Sequence, residues 1–307
     1  MNDRKRTIEL LAGLAPREGY NLTGLPGVRL LRSNRPLQRT PVLYAPGIVI
    51  VCQGSKQGYF GGEIYRYDAQ HYLAVAVPVP FTMETMASEA EPLLAIYLHL
   101  DVKLAADLML EIAQHDFPAK AAARSMWSTP MNEALAATVL RLVQALSSPA
   151  ETAILSPGLL RELYYRALTG EQGAAIRAAL AQRGKSGRIV KALRCIHTAY
   201  RENLSVEQLA AEAGMSVPTF YSHFRTVTGT SPMQYLKSTR LHQARLLMVR
   251  NDKPAAVAAA EVGYESASQF GREFKRMFGR TPALEAKRMK STFAFPPHAN
   301  TEFVSSH

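Results

Sequence analysis

Four residues recur with the same spacing at two places in this chain. Phe220, Phe224, Gly229 and Pro232 stand 4, 5 and 3 residues apart, and Phe270, Phe274, Gly279 and Pro282 repeat the pattern 50 residues later. Upstream, Gly214 and Gly263 hold matching places at an offset of 49, so one turn carries one extra residue. Each of these glycines follows a short alanine-rich segment, 206–213 and 255–262. Phenylalanines four apart share one helix face and turn it toward a core. Alanines let one helix pack closely on the next, and a glycine can take the left-handed conformation that ends a helix. Short helix, tight turn and a second helix with one apolar face form the helix-turn-helix plan, whose free outer face can enter a major groove. One copy could be a helical hairpin that merely packs. Two matched copies predict a pair of DNA-binding units, with recognition helices at about 217–228 and 267–278.

The charge follows the repeat. From Lys185 to Lys290 there are 18 lysines and arginines against 8 acidic residues, a net of +10 out of +11 for the whole chain. A basic excess confined to one third of a sequence is the footprint of a phosphate-backbone binder, although a solvated basic domain would show the same sum. At 307 residues the length suggests about two domains. No run of 18 apolar residues is present, so no membrane span is expected. The charged start Met1–Arg6 is followed by an apolar run, 10–14, too short for a signal core, and a cytoplasmic protein is expected. Cys52 and Cys195 are too few and too far apart for a disulfide framework or a zinc cluster.

Ahead of the repeat, residues 1–19 read as a short helix and loop. From about 20 to 100 the texture is β. Short runs at 28–31, 47–52, 63–67, 72–77 and 93–98 are punctuated by Gly and Pro, which argues for a sandwich or barrel. Helices are expected at 103–114, 132–147, 159–168 and 171–182. In the second of these Leu135, Val139, Leu142 and Leu146 form a 4-3-4 seam suited either to a dimer or to packing within the domain. The polar stretch 183–188 is expected to be a linker. Domains are therefore placed at 1–183 and 184–307, with a tail after about residue 290. Beyond the linker an amphipathic helix at 189–200 leads into a helix opened by Ser205, with Gln208 three residues on as a capping box.

Residues 204–282, with both units, the connecting helix near 232–249 and the closing Gly279-Arg280-Thr281-Pro282, resemble the DNA-binding domain of the AraC/XylS family of transcription regulators. The segments Val51-Cys52-Gln53-Gly54-Ser55-Lys56 and Tyr67-Asp68-Ala69-Gln70-His71-Tyr72-Leu73 are similar, less specifically, to the subgroup with a cupin-like AraC-type N-terminal domain. The resemblance implies an α+β chain: an N-terminal cupin-like β-barrel with accessory helices that senses an effector and dimerises, then an all-α domain of two helix-turn-helix units. It also implies double-stranded promoter DNA and a small-molecule effector as partners, RNA polymerase as a candidate partner, a homodimer, and no cofactor.

In the first recognition helix the outward positions are Pro218, Thr219, Tyr221, Ser222, Arg225 and Thr226. By the family pattern Pro218, Tyr221 and Ser222 fall where bases are usually met, and Arg225 where the backbone is. Proline can offer only apolar contact, for example to a thymine methyl. In the second helix the outward positions are Ala267, Ser268, Gln269, Arg272, Lys275 and Arg276. Gln269 can pair bidentately with adenine and Arg272 with guanine, while Lys275 and Arg276 suit phosphates. Each of these is singly also an ordinary surface residue.

For the effector, candidate lining residues are Tyr44, Cys52, Lys56, Tyr65, Arg66 and His71, with Tyr67 and Tyr72 beside them, although core packing or surface accounts for each equally simply. Cys52 could act as a redox sensor if Lys56 stabilised its thiolate, or be a buried inert thiol. His71, His99 and His115 are isolated, so no metal site is expected and a cupin enzyme with a DNA-binding tail is disfavoured. An architectural protein without site preference is the other alternative, and the varied outward faces argue against it.

Overall fold

The computed structural model describes residues 3–115, 117, 124–185 and 187–292. The chain opens with α1 (Asp3–Leu14). Nine strands follow: β1 (Gly19–Leu22), β2 (Val28–Ser33), β3 (Leu37–Tyr44), β4 (Gly47–Gln53), β5 (Ser55–Phe60), β6 (Glu63–Asp68), β7 (His71–Val75), β8 (Val79–Met86) and β9 (Leu93–His99). Then come α2 (Val102–Ile112), β10 (Met126–Pro130), α3 (Glu133–Ala145), α4 (Pro149–Ile154), α5 (Ser156–Thr169) and α6 (Gly173–Lys185). The rest is helical: α7 (Gly187–Ala199), α8 (Val206–Glu212), α9 (Val217–Thr228), α10 (Pro232–Arg250), α11 (Ala255–Glu261), α12 (Ala267–Phe278) and α13 (Pro282–Thr292).

The strands form one antiparallel sheet in the order β1-β2-β9-β4-β7-β6-β5-β8-β3, with β10 added on β7. It curls into a half-barrel, and β1 and β3 end the order without pairing to each other. The central strands are buried on both faces, so they read as continuous apolar runs rather than alternating ones. In β4, Val49 and Val51 face the concave interior with Tyr44, Tyr67 and Phe81, while Ile48, Ile50 and Cys52 face the helical layer. Prolines hid β3 and β8 from a strand reading. Pro80 pairs with Leu43 on one side and lies past the end of β5 on the other, so no β5 partner requires its missing N–H.

The helical layer decides between the two readings of the α3 seam. Leu135, Val139 and Leu142 of α3 are buried in the core that joins α1, α5 and α6 to the outer face of the sheet, so the seam packs within its own domain. The expected linker also differs. α6 runs through to Lys185 and α7 starts at Gly187, so helical backbone flanks Ser186, which lies outside the described residues. The tail from residue 293 onward lies outside them as well.

In the C-terminal third the helices start and stop where the repeat requires. The Ser205 hydroxyl accepts from the Gln208 amide and the Gln208 side chain accepts from the Ser205 amide, a complete capping box on α8. Gly229 and Gly279 end α9 and α12 in the left-handed region at φ 70° and 75°. Gly263 is required twice over: its φ is +86°, and a Cβ there would stand 2.4 Å from the Arg201 carbonyl oxygen. Phe220, Phe224, Phe270 and Phe274 are essentially inaccessible to solvent, each contributing about 1.5–3 kcal/mol of burial.

The two domains are not independent bodies. The concave face of the sheet and the cores of both helix-turn-helix units form one continuous apolar cluster. Tyr235 of α10 donates to the Pro78 carbonyl at the barrel rim (3.2 Å), the Ser125 hydroxyl donates to the Val227 carbonyl, and Phe60 packs against Gly229. The half-barrel thus rests on the end of the first recognition helix.

Candidate nucleic-acid interface

Both recognition helices present the side chains expected of them. On α9, Pro218, Thr219, Tyr221, Ser222 and Arg225 are exposed while Phe220, Phe224 and Thr228 are buried. On α12, Ser268, Gln269, Arg272, Lys275 and Arg276 are exposed while Phe270, Phe274 and Phe278 are buried. Pro218 sits in the first turn of α9, where its missing N–H has no helical partner to lose. Among the described residues the side chains of Arg225, Arg272, Lys275 and Arg276 make no hydrogen bond or ion pair. Four cations held on rigid helices without internal partners are available to phosphates or base edges.

Other outward groups are already engaged. The hydroxyls of Ser216 and Thr219 are 2.9 Å apart, and Thr226 donates to the Ser222 carbonyl. The Gln269 amide nitrogen donates to a Glu273 carboxylate oxygen at 3.4 Å. That carboxylate also accepts from the Tyr264 hydroxyl at 2.7 Å and pairs with Lys237 of α10 at 2.8 Å. Glu273 was not among the expected site residues, though its place four residues after Gln269 on one helix face was visible in the sequence.

The candidate effector residues scatter. Tyr44, Lys56 and Tyr67 lie inside the half-barrel, with the Tyr44 and Tyr67 hydroxyls 3.4 Å apart and the Tyr44 ring edge-on to Phe81. Tyr65 is near the rim, where it donates to Glu63, which also pairs with Arg124. Arg66 points outward and is exposed. His71 is half-buried at the start of β7, 3.3 Å from Asp68 of β6. Tyr72 and Cys52 belong to the helix-facing layer. Cys52 and Lys56 are therefore on opposite faces of the sheet, and no lysine stabilises a thiolate. Burial pushes the Cys52 thiol up to about 12, offset only in part by Arg4, so it is an inert thiol at neutral pH.

Lys56 is unusual. It is 1% exposed, opposite Tyr67 on β6 and Thr85 on β8. Among the described residues its ammonium has no hydrogen-bond or ion-pair partner. Burial lowers its pKa to about 7. Among the described residues no group of three His, Cys, Asp or Glu could hold a metal ion, and no helix is long and apolar enough to cross a membrane.

Known proteins resemble the chain at both ends. The model for the AraC-type transcriptional regulator N-terminus matches residues 24–175, and a helix-turn-helix domain model matches 209–288. The RCS-specific HTH-type transcriptional activator RclR of Escherichia coli is 41% identical over 86 residues, 28% of this chain and 30% of RclR. The probable transcriptional regulator LumQ of Photobacterium leiognathi is 32% identical over 82 residues, 27% of this chain and 33% of LumQ. The matched stretch thus spans about a third of the length of these curated relatives. Over nearly the whole chain the fold is that of ToxT from Vibrio cholerae, solved with an unsaturated fatty acid bound. The TM-score is 0.58 at 12% identity, covering 91% of this chain and 100% of ToxT. ToxT bound to (E)-4-(8-methylnaphthalen-1-yl)but-3-enoic acid gives 0.59 at 10% identity, over 84% of this chain and 98% of that one. With a curled N-terminal sheet, a C-terminal helix-turn-helix region and family models matching each, the chain belongs to the AraC family of transcription regulators.

Proposed function

We propose that this protein is a sequence-specific regulator that binds promoter DNA with both helix-turn-helix units, under the control of a small-molecule effector in the half-barrel. The observation that carries the DNA half is the pair of exposed recognition faces with four unengaged cations, Arg225, Arg272, Lys275 and Arg276, in the third of the chain that holds nearly all its net charge. α10 joins the units as a spacer of 19 residues, about 28 Å long at the usual helical rise. That suits two recognition helices in successive major-groove turns, which repeat every ~34 Å, so one chain reads an asymmetric site. The test is selection of sites from a randomised duplex pool, followed by titration of the best site against salt. Tight binding whose log K falls steeply with log salt is expected. A flat salt response, or no preference over random DNA, rejects this reading.

The effector half rests on Lys56. A buried ammonium without a counter-ion is costly, and an acidic ligand in the barrel would supply the missing charge. The two ToxT forms above each hold a carboxylic acid, which favours that class here. Unsaturated fatty acids should raise the melting temperature of the wild type and not that of Lys56→Met. An equal shift in both proteins removes Lys56 from the effector site. Pairing of two copies belongs to the same reading, but not through the α3 seam, where Leu135, Val139 and Leu142 are buried within the domain. Sedimentation of the full chain as a monomer at micromolar concentration counts against it.

A further inference from the structure

We infer that Glu273 is a specificity-determining residue: its carboxylate fixes which way the Gln269 side-chain amide faces and so selects adenine over guanine at one base of the site. The inference rests on the second unit reading DNA as proposed above.

The geometry begins with Gln269 and Glu273 four residues apart on α12, the spacing that stacks two side chains on one helix face. Gln269 is exposed on the outward surface, and the Glu273 side chain is 12% exposed at the edge of the cleft between α10 and α12. Two groups outside α12 hold that carboxylate in place, the Tyr264 hydroxyl at 2.7 Å and the Lys237 ammonium at 2.8 Å. Burial acts to raise the Glu273 pKa, but hydrogen bonds from Lys237, Tyr264 and Gln269 outweigh it and hold the group below the usual carboxylate value. The carboxylate is therefore ionised at neutral pH, and an ionised carboxylate can only accept hydrogen bonds.

The consequence falls on Gln269. A glutamine amide has a donor side and an acceptor side that differ little in shape, and a free side chain can present either. Beside an acceptor-only neighbour the NH2 must turn toward Glu273, as it does at 3.4 Å. One N–H and the carbonyl oxygen are left for DNA. That pair matches adenine, whose major-groove edge offers the N6 donor and the N7 acceptor. Guanine offers two acceptors, O6 and N7, and would meet the glutamine oxygen with a lone pair. Without Glu273 the amide can turn over and donate to guanine O6. Lys237 offsets the negative charge that would otherwise stand near the phosphates.

The experiment is parallel site selection from a randomised duplex pool with the full chain as wild type, Gln269→Ala, Glu273→Ala and Tyr264→Phe. The wild type should enrich adenine at one position, which Gln269→Ala identifies by erasing it. Glu273→Ala should lower the adenine-to-guanine ratio at that position by about tenfold, within the range one bidentate contact supplies, and leave the other positions unchanged. Tyr264→Phe removes one anchor and only one oxygen atom, so it keeps the fold testable, and it should lower the same ratio by about threefold. A Glu273→Ala profile with the adenine preference intact, or one weakened equally at every position, overturns the inference and leaves the regulatory reading standing. A wild-type pool without any enriched position overturns both.

Discussion

Arg245 of α10 and Glu285 of α13 face each other inside the second helix-turn-helix unit, 3.6 Å apart and each about 1% exposed. Arg288 donates to both oxygens of the carboxylate, at 2.9 and 3.0 Å, and the Arg245 guanidinium lies 4.5 Å over the Phe278 ring at the end of α12. The pair ties three helices around the second recognition helix. Breaking a buried pair from one side strands a charge in the core, which costs about 3–5 kcal/mol. Glu285→Ala should lower stability by that amount in urea unfolding. Arg245→Met, which removes the charge and keeps apolar volume, should cost less. Equal losses in the two variants would show that packing rather than charge sets the value.

Two buried histidines predict an acid-sensitive fold. His197 is buried and hydrogen-bonded at 2.8 Å to Tyr235, the residue that reaches Pro78 on the barrel rim. Burial lowers its pKa to about 3, and burial together with the nearby Arg245 charge lowers that of His242 well below the usual histidine value. Both are neutral in the folded chain, whereas in the unfolded chain a histidine binds a proton below about pH 6.5. The unfolded state therefore takes up more protons across that window. Stability is fully present above about pH 6.5 and falls as the pH drops toward 3. Each histidine contributes a slope of at most about 1.4 kcal/mol per pH unit. Urea melts at pH 7.5, 6.5 and 5.5 read this directly, and an unchanged midpoint down to pH 5 would contradict neutral burial.

Contacts to bases and to phosphates should separate by salt and by sequence. Arg272→Ala should weaken the selected site by about 1–3 kcal/mol and relax one base position. Lys275→Ala should weaken selected and random DNA alike and reduce the salt slope by about 1. Loss of specificity in Lys275→Ala and a uniform effect in Arg272→Ala would reverse the assignment.

The sequence carried the C-terminal half of this structure almost entirely. Phe220 and Phe270 report buried helix faces, and Gly229 and Gly279 report left-handed helix ends, because each demand is local and only one residue type meets it cheaply. The N-terminal half was legible only as β texture. Strand order is set by pairings such as Ile48 with Leu98, which leave no local trace. The period-2 alternation that assigns faces is erased in strands buried on both sides, so Cys52 and Lys56, four residues apart across the turn at Gly54, could be imagined together. The α3 seam stayed open for the opposite reason: a 4-3-4 pattern reports that a face is buried and not what buries it. The Gln269–Glu273 bond was within reach of the i, i+4 rule, but the anchoring of Glu273 by Lys237 depends on how α10 crosses α12.

Lys56 yields the prediction that joins stability to regulation. Its ammonium is buried without a partner among the described residues, and burial lowers its pKa from 10.5 to about 7. The unfolded chain holds this proton up to about pH 10.4, so the folded state binds fewer protons between pH 7 and 10.4. Relative to pH 10.4, stability falls as the pH drops through that window and reaches its full penalty below about pH 7. Lys56→Met removes the group and keeps similar apolar volume. It should raise stability at pH 7 by roughly 1–4 kcal/mol, with a smaller gain at pH 10. A stabilising substitution at a buried site implies that the native residue is kept for something other than folding. In the proposed reading that is an anionic ligand, whose charge would cancel the same penalty and stabilise the wild type selectively. If Lys56→Met instead destabilises the chain at pH 7, the ammonium has a structural role, and the effector must be sought elsewhere in the half-barrel.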